Sequence, residues 1–133
     1  MAAVRSRDNK TTELRLIAIL REHGITGWRR RAGLPGKPDF VFRPERMAVF
    51  VDGCFWHGCR WHCRMPQDHR AYWQRKIARN VARDRATNRL LGQRGWHVLR
   101  VWEHSLRQAA AVAEKLKSEL SKSRRRCKDA LKQ

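Results

Sequence analysis

Apolar positions along the chain change period several times, and each change marks an element. Leu14, Ile17 and Leu20, with Leu16 and Ile19 beside them, form a broad apolar stripe at helical spacing. Thr11-Thr12 can cap the start of that helix, Glu13 suits its positive end, and Gly24 stops it. The polar residues 4–10 ahead of it read as mobile. Prolines and glycines forbid a helix through residues 28–38, after which Phe40-Val41-Phe42 and Met47-Ala48-Val49-Phe50-Val51 read as short buried strands. Joined through Pro44-Glu45-Arg46 they are most simply an antiparallel hairpin, which brings Asp39 toward Val51 and Asp52. Trp73, Ile77, Val81 and Leu90-Leu91 return to helical spacing, with a largely arginine face opposite. Beyond Gly95, residues 97–102 alternate as a further strand, and Ala109, Val112, Ala113, Leu116 and Leu120 place a last helix over about residues 106–120. The order α-β-β-loop-α-β-α predicts an α/β fold with a small mixed sheet flanked by helices. The chain divides into one domain, residues 1–120, and a basic tail, residues 121–133.

Charge narrows the class of partner. Against 12 Asp+Glu stand 31 Lys+Arg, a formal net charge of +19 in 133 residues, so the chain is expected to sit on a polyanion, nucleic acid first. Even without the tail, residues 29–31 and 75–89 remain strongly basic. No stretch is long and apolar enough for a membrane span and no leader is evident, so the expected compartment is the cytoplasm.

Chemistry concentrates where the strand 47–51 ends. Asp52-Gly53 leads into a loop holding Cys54, Cys59 and Cys63, three of the four cysteines, with His57 and His62 interleaved. Thiolates and imidazoles at these separations fold round one ion, and such S/N sets select Zn²⁺. Reduced core cysteines are the plainer reading, but Arg60, His62 and Arg64 do not suit a core. The remaining Cys127 lies in the tail, apart from this cluster. Asp39 and Asp52, at adjacent strand ends, are what a Mg²⁺ ion needs, since it takes one or two carboxylates and completes its shell with water and phosphate oxygens. His57 could serve the metal loop or a reacting water.

Four blocks in order carry a resemblance: Leu34-Pro35-Gly36-Lys37-Pro38-Asp39-Phe40; Val51-Asp52-Gly53-Cys54-Phe55-Trp56-His57; residues 72–84 from Tyr72-Trp73-Gln74 to Ala82-Arg83-Asp84; and Gly95-Trp96-His97-Val98-Leu99-Arg100-Val101-Trp102-Glu103. Over about residues 4–108 the chain resembles the very-short-patch (Vsr-type) DNA mismatch endonucleases. That resemblance implies a restriction-endonuclease-like core with a structural zinc, and Mg²⁺-dependent nicking of one strand beside a T:G mismatch in double-stranded DNA, by a monomer that works with mismatch-repair proteins. It makes Asp39 the principal magnesium carboxylate, with Val51 contributing its backbone carbonyl; Asp52 is the second carboxylate by its place at the adjacent strand end, not by the resemblance. It makes His57 the catalytic histidine and Glu13 an accessory acid. Zinc then falls to Cys54, Cys59, His62 and His104, with Cys63 as the alternative to His62. Phe55, Trp56 and Trp73 occupy the intercalating positions, and Lys37, Arg75, Lys76 and Arg79 are the expected phosphate contacts.

The chain departs from the family's best-known pattern twice. Asp52 stands where a second catalytic histidine is found, and His104 replaces a last zinc cysteine. Both substitutions keep workable chemistry. Two other readings compete: a homing or restriction nuclease on the same fold, and a non-catalytic zinc-bearing nucleic-acid-binding module, which would have no need of Asp39 and Asp52 at adjacent strand ends.

Overall fold

A computed structural model of the chain describes the backbone of residues 2–30, 33–53 and 69–132, and the side chains of those between 12 and 127. Helix α1, Ala2–Glu22, is followed by three strands, β1 at Trp28–Arg29, β2 at Phe40–Phe42 and β3 at Met47–Asp52. Helix α2, Arg70–Gln93, crosses to β4, His97–Trp102. A 3-10 turn, Glu103–Arg107, then leads into α3, Ala109–Lys132. The strands form one sheet in the order β1-β2-β3-β4. β1, β2 and β3 are antiparallel neighbours, with Phe40 opposite Val49 and Phe42 opposite Met47. β3 and β4 are parallel, with Val49 opposite Leu99 and Val51 opposite Val101. The mixed character has a simple cause: a tight turn at Arg43–Arg46, closed by Arg46 N–H donating to the Arg43 carbonyl at 3.1 Å, can only reverse the chain, whereas a helix-length crossover returns it parallel.

The period-2 alternation sorts the sheet's side chains between two layers. Phe40, Phe42, Met47, Val49, Val51, Leu99 and Val101 pack with Leu16 and Leu20 of α1 and with Val112, Ala113 and Leu116 of α3. On the other face, Ala48 and Phe50 meet Leu91 of α2, with Leu34, Trp96 and Val98 against them. The α/β expectation with a small mixed sheet between helices therefore holds. β3 is buried on both faces, so it reads as a continuous apolar run.

Three features differ from expectation. The two-residue β1 follows from pairing with Phe42 and Val41, a contact distant in sequence that local pattern does not announce. α1 begins at Ala2, so residues 4–10 continue its helix. The division at residue 120 matches no element boundary, because α3 runs through the basic stretch to Lys132. Lysine and arginine are good helix formers, and the extension has internal partners: Ser123 is buried, Arg124 Nε donates to Glu45 Oε1 at 2.9 Å, and Cys127 Sγ lies 3.7 Å from the Glu45 carbonyl. Cys127 thus packs on the β2–β3 turn. His97 Nε2 and Glu119 Oε2, 2.7 Å apart, tie the start of β4 to the same helix.

Candidate active site

The hairpin register sets the site. With Phe40 opposite Val49, the residue before β2 arrives beside the last third of β3, and Asp39 Oδ2 accepts the Val51 N–H at 2.7 Å. Burial pushes the Asp39 carboxyl from its ordinary 3.8 to about 7, against the Val51 hydrogen bond, which pulls it down. A hydrogen bond with Glu13 and the nearby charges of Glu13 and Asp52 add smaller upward contributions to the same value. Glu13 reaches this point from α1, and Arg30 Nη2 donates to its Oε2 at 2.5 Å. Asp39 and Asp52, the two expected magnesium carboxylates, thus lie within electrostatic reach of each other at one strand end, and the accessory acid Glu13 joins them from a third element. A carboxyl raised this far by its surroundings, in a cleft, marks a candidate functional group.

Asp52 has a cationic neighbour that the strand and loop patterns do not announce. Arg100 Nη1 donates to Asp52 Oδ1 at 2.9 Å and lies 3.7 Å from Asp84 Oδ1. Arg100 Nε donates to Asn88 Oδ1 at 2.8 Å, and the guanidinium carbon stands 4.2 Å from the Phe50 ring centre. A signal for Arg100 is nonetheless present in β4: the strand's alternation puts Val98 and Arg100 on the side of α2, and an arginine at an inward position needs a buried anionic partner.

Asp39, Asp52, Asp84, Lys37, Arg83 and Arg100 line one cleft of about 520 Å³, floored by Phe50 and Val51. Its rim is set by a close approach. Gly36, at φ +79°, lies so near Thr87 of α2 that a Cβ there would collide with the Thr87 methyl. Lys37 follows in the left-handed region at φ 54°, which turns the loop back before Asp39. A smaller cavity of about 170 Å³ between β4 and α3 has no carboxylate in its lining.

The remaining expected residues fall in four groups. Lys37, Arg75 and Arg79 are exposed and Lys76 is half-buried, all four available to a polyanion. Trp73, expected by resemblance to meet DNA, has only 9% of its surface exposed, because it shares the inward face of α2 with Ile77. The exposed aromatic beside it is Tyr72, edge-to-face with Trp73 at 5.2 Å, and the Lys76 amine lies 5.9 Å from the Tyr72 ring centre. His104 stacks on Trp102, ring centres 6.5 Å apart. Cys54, Phe55, Trp56, His57, Cys59, His62 and Cys63 lie outside the described residues, and among the described residues no three His, Cys, Asp or Glu side chains stand close enough to share one ion.

A cleft that sets three carboxylates among three cationic side chains at the end of a mixed sheet, in a chain of net charge +19, suits a nuclease: carboxylates for a cation, cations for phosphates. The family model described as DNA mismatch endonuclease Vsr matches residues 1–63. The DNA mismatch endonuclease Vsr of Escherichia coli (strain K12) is 41% identical over 110 residues, 80% of this chain and 69% of the relative. The Type II nicking enzyme V.XorIIP of Xanthomonas oryzae pv. oryzae is 38% identical over 125 residues, covering 92% and 90% of the two chains. The Type II nicking enzyme V.NaeI of Lentzea aerocolonigenes is 52% identical over 81 residues, 61% of this chain, which spans about half of that relative's length. The chain belongs to the Vsr family of DNA mismatch endonucleases, and with it to the DNA endonucleases as a class of enzyme.

Proposed function

We propose that this endonuclease nicks one strand of double-stranded DNA beside a T:G mismatch, using Mg²⁺ in the cleft that holds Asp39. The single observation that carries the reading is the Asp39 carboxyl, pinned by the Val51 N–H and held near neutrality by burial and by Glu13 and Asp52. The donor set fits a divalent cation, because carboxylates crowded against one another in a half-buried cleft gain most from a positive charge between them. Asp39 would be the principal ligand, with the Val51 carbonyl as a neutral oxygen and Glu13 as the acid beside it. Bound Mg²⁺ supplies the Lewis acid for the scissile phosphate and an acidified water. Lys37 and Arg83, in the cleft lining, draw the phosphate backbone in, and His57 orients or deprotonates the attacking water.

The thiolate and imidazole set of Cys54, Cys59, His62 (or Cys63) and His104 would hold a structural Zn²⁺. In such a site the binding free energy is folding free energy, so chelation is expected to lower the melting temperature, and purified protein to carry about one zinc per chain. Phe55 and Trp56, next along the same loop, would wedge between base pairs, where unstacking costs least at a mismatch. Mismatch-repair proteins are the natural partners of such a nick.

End-labelled duplexes identical except for one T:G pair test the reading. With Mg²⁺, the labelled T strand is expected to be nicked at a fixed position near the mismatch and the matched duplex left intact. Equal cutting of both duplexes, or cutting of both strands, would assign the fold to a restriction-type target instead.

A further inference from the structure

We propose that Arg100 is a positioning residue of this site: its guanidinium holds Asp52 and Asp84 together and so keeps Asp52 from competing with Asp39 for the divalent cation. The inference rests on the reading of Asp39 given under the proposed function.

The geometry leaves Arg100 little freedom. Nη1 faces two carboxylates, Asp52 at 2.9 Å and Asp84 at 3.7 Å; Nε is bound to Asn88 at 2.8 Å; and one face lies over Phe50 at 4.2 Å. Nη2 points at the Asp84 carbonyl, 3.5 Å away. The partners come from β3 and from two turns of α2, so one planar group fixes the distance between strand and helix across the cleft. Its side chain is 19% exposed and that of Asp52 7%. Replacing such a buried pair with apolar side chains is often neutral or stabilising, so fold stability alone gives little reason for an arginine here. Its place in the cleft wall gives a better one. A guanidinium does not lose its proton, and its fork suits a carboxylate better than an ammonium does. Asp52 therefore stays neutralised whether or not a cation is present, and the cation is left to Asp39. A phosphate entering the cleft also meets one uncompensated carboxylate fewer.

The test reads Mg²⁺ affinity of the DNA-free protein by calorimetry alongside the nicking rate at saturating Mg²⁺. In Arg100→Leu, Asp52 is released and the cation becomes its compensating charge, so Mg²⁺ binding is expected to tighten roughly tenfold while nicking slows by a similar factor. Adding Asp52→Asn to Arg100→Leu is expected to return the affinity to within about twofold of the wild type and to recover most of the rate, the non-additivity of groups acting together. Unchanged or weaker Mg²⁺ binding in Arg100→Leu, or a double variant as slow as the single one, makes Arg100 a structural tie and overturns the proposal. Asp52→Asn alone weakening Mg²⁺ as much as Asp39→Asn also overturns it, by making Asp52 a direct ligand. Should Arg100→Leu fail to fold, Arg100→Lys keeps the charge without the fork, and it is expected to move affinity and rate in the same directions by about threefold; no movement overturns the proposal. Asp39→Asn separates the two levels: if it keeps Mg²⁺ binding and nicking, the reading of the site itself fails.

Discussion

Asp39 combines two conditions that oppose each other in the free protein and cooperate when a cation is bound. Its carboxyl is raised to about 7 chiefly by burial, against the pull of the Val51 N–H, with Glu13 and Asp52 adding repulsion. Because the folded value lies above the unfolded 3.8, the native state holds a proton that the unfolded chain gives up between about pH 4 and 7. The stability tied to that proton is complete below pH 4, declines through this window and is lost above 7. Asp39→Asn keeps an oxygen for the Val51 N–H but has no charge to bury, so without metal it is expected to be the more stable protein at pH 8, by roughly 4 kcal/mol, with the difference vanishing below about pH 4. Melting curves in chelator across that range check it, with nicking abolished in the same variant. A constant gap at all pH values would mean that the carboxyl is not titrating in the fold. Asp39 and Asp52 are legible as a pair because hairpin pairing forces their strand ends together. Arg100 is not: its role depends on α2 arriving with Asp84 and Asn88, three-dimensional information that a strand pattern lacks.

Among the elements, legibility follows the length of the periodic signal. β2 and β3 are recoverable from uninterrupted apolar runs, β4 from alternation, and α2 from Trp73, Ile77 and Leu91, all of which are buried. β1 has only two residues, too few for any period. The far end of α3 is hidden for another reason. Ser121-Lys122-Ser123-Arg124-Arg125-Arg126 reads as solvated because charge dominates it, yet Ser123 is 2% exposed and Glu45, which accepts from Arg124, is 8% exposed. The pair is weak on its own, since the Arg124 side chain is 60% exposed and well screened. What the segment supplies is cover for the β2–β3 turn, at the far end of the hairpin from Asp39. Ending the chain after Leu120 is therefore expected to lower the melting temperature by about 5 to 10 °C, where removal of a solvated tail would leave it unchanged. Differential scanning calorimetry of the shortened and full chains decides between them, and Glu45→Gln should give a smaller shift in the same direction.

Over the whole molecule, the proposed function assigns affinity and discrimination to different surfaces. The net charge of +19 supplies binding that ignores sequence, because each phosphate neutralised by a lysine or arginine releases condensed counterions. Helix α2 divides the labour by its faces: Trp73, Ile77, Asn80 and Leu91 are buried, while Arg75, Arg79, Arg83, Arg85 and Arg89 stand exposed along its outer side. That helix also carries the Asp84 wall of the cleft, so a duplex lying along the arginines, as proposed, would be guided toward Asp39. Under the proposed function, discrimination comes from elsewhere, and with Trp73 buried it is assigned to Phe55 and Trp56, Trp56 foremost. The two contributions have different signatures. Arg75→Ala combined with Arg79→Ala is expected to weaken binding to matched and T:G duplexes by the same factor and to reduce the slope of log Kd against log salt by roughly 2, about 1 for each phosphate no longer neutralised. Trp56→Ala is expected to leave that slope alone and to diminish only the preference for the mismatch. Fluorescence anisotropy at several salt concentrations, with Ca²⁺ in place of Mg²⁺ to suspend cleavage, measures both on one pair of duplexes. A mismatch preference that falls with the arginines and survives Trp56→Ala would place recognition on the basic helix and remove the wedge from the account.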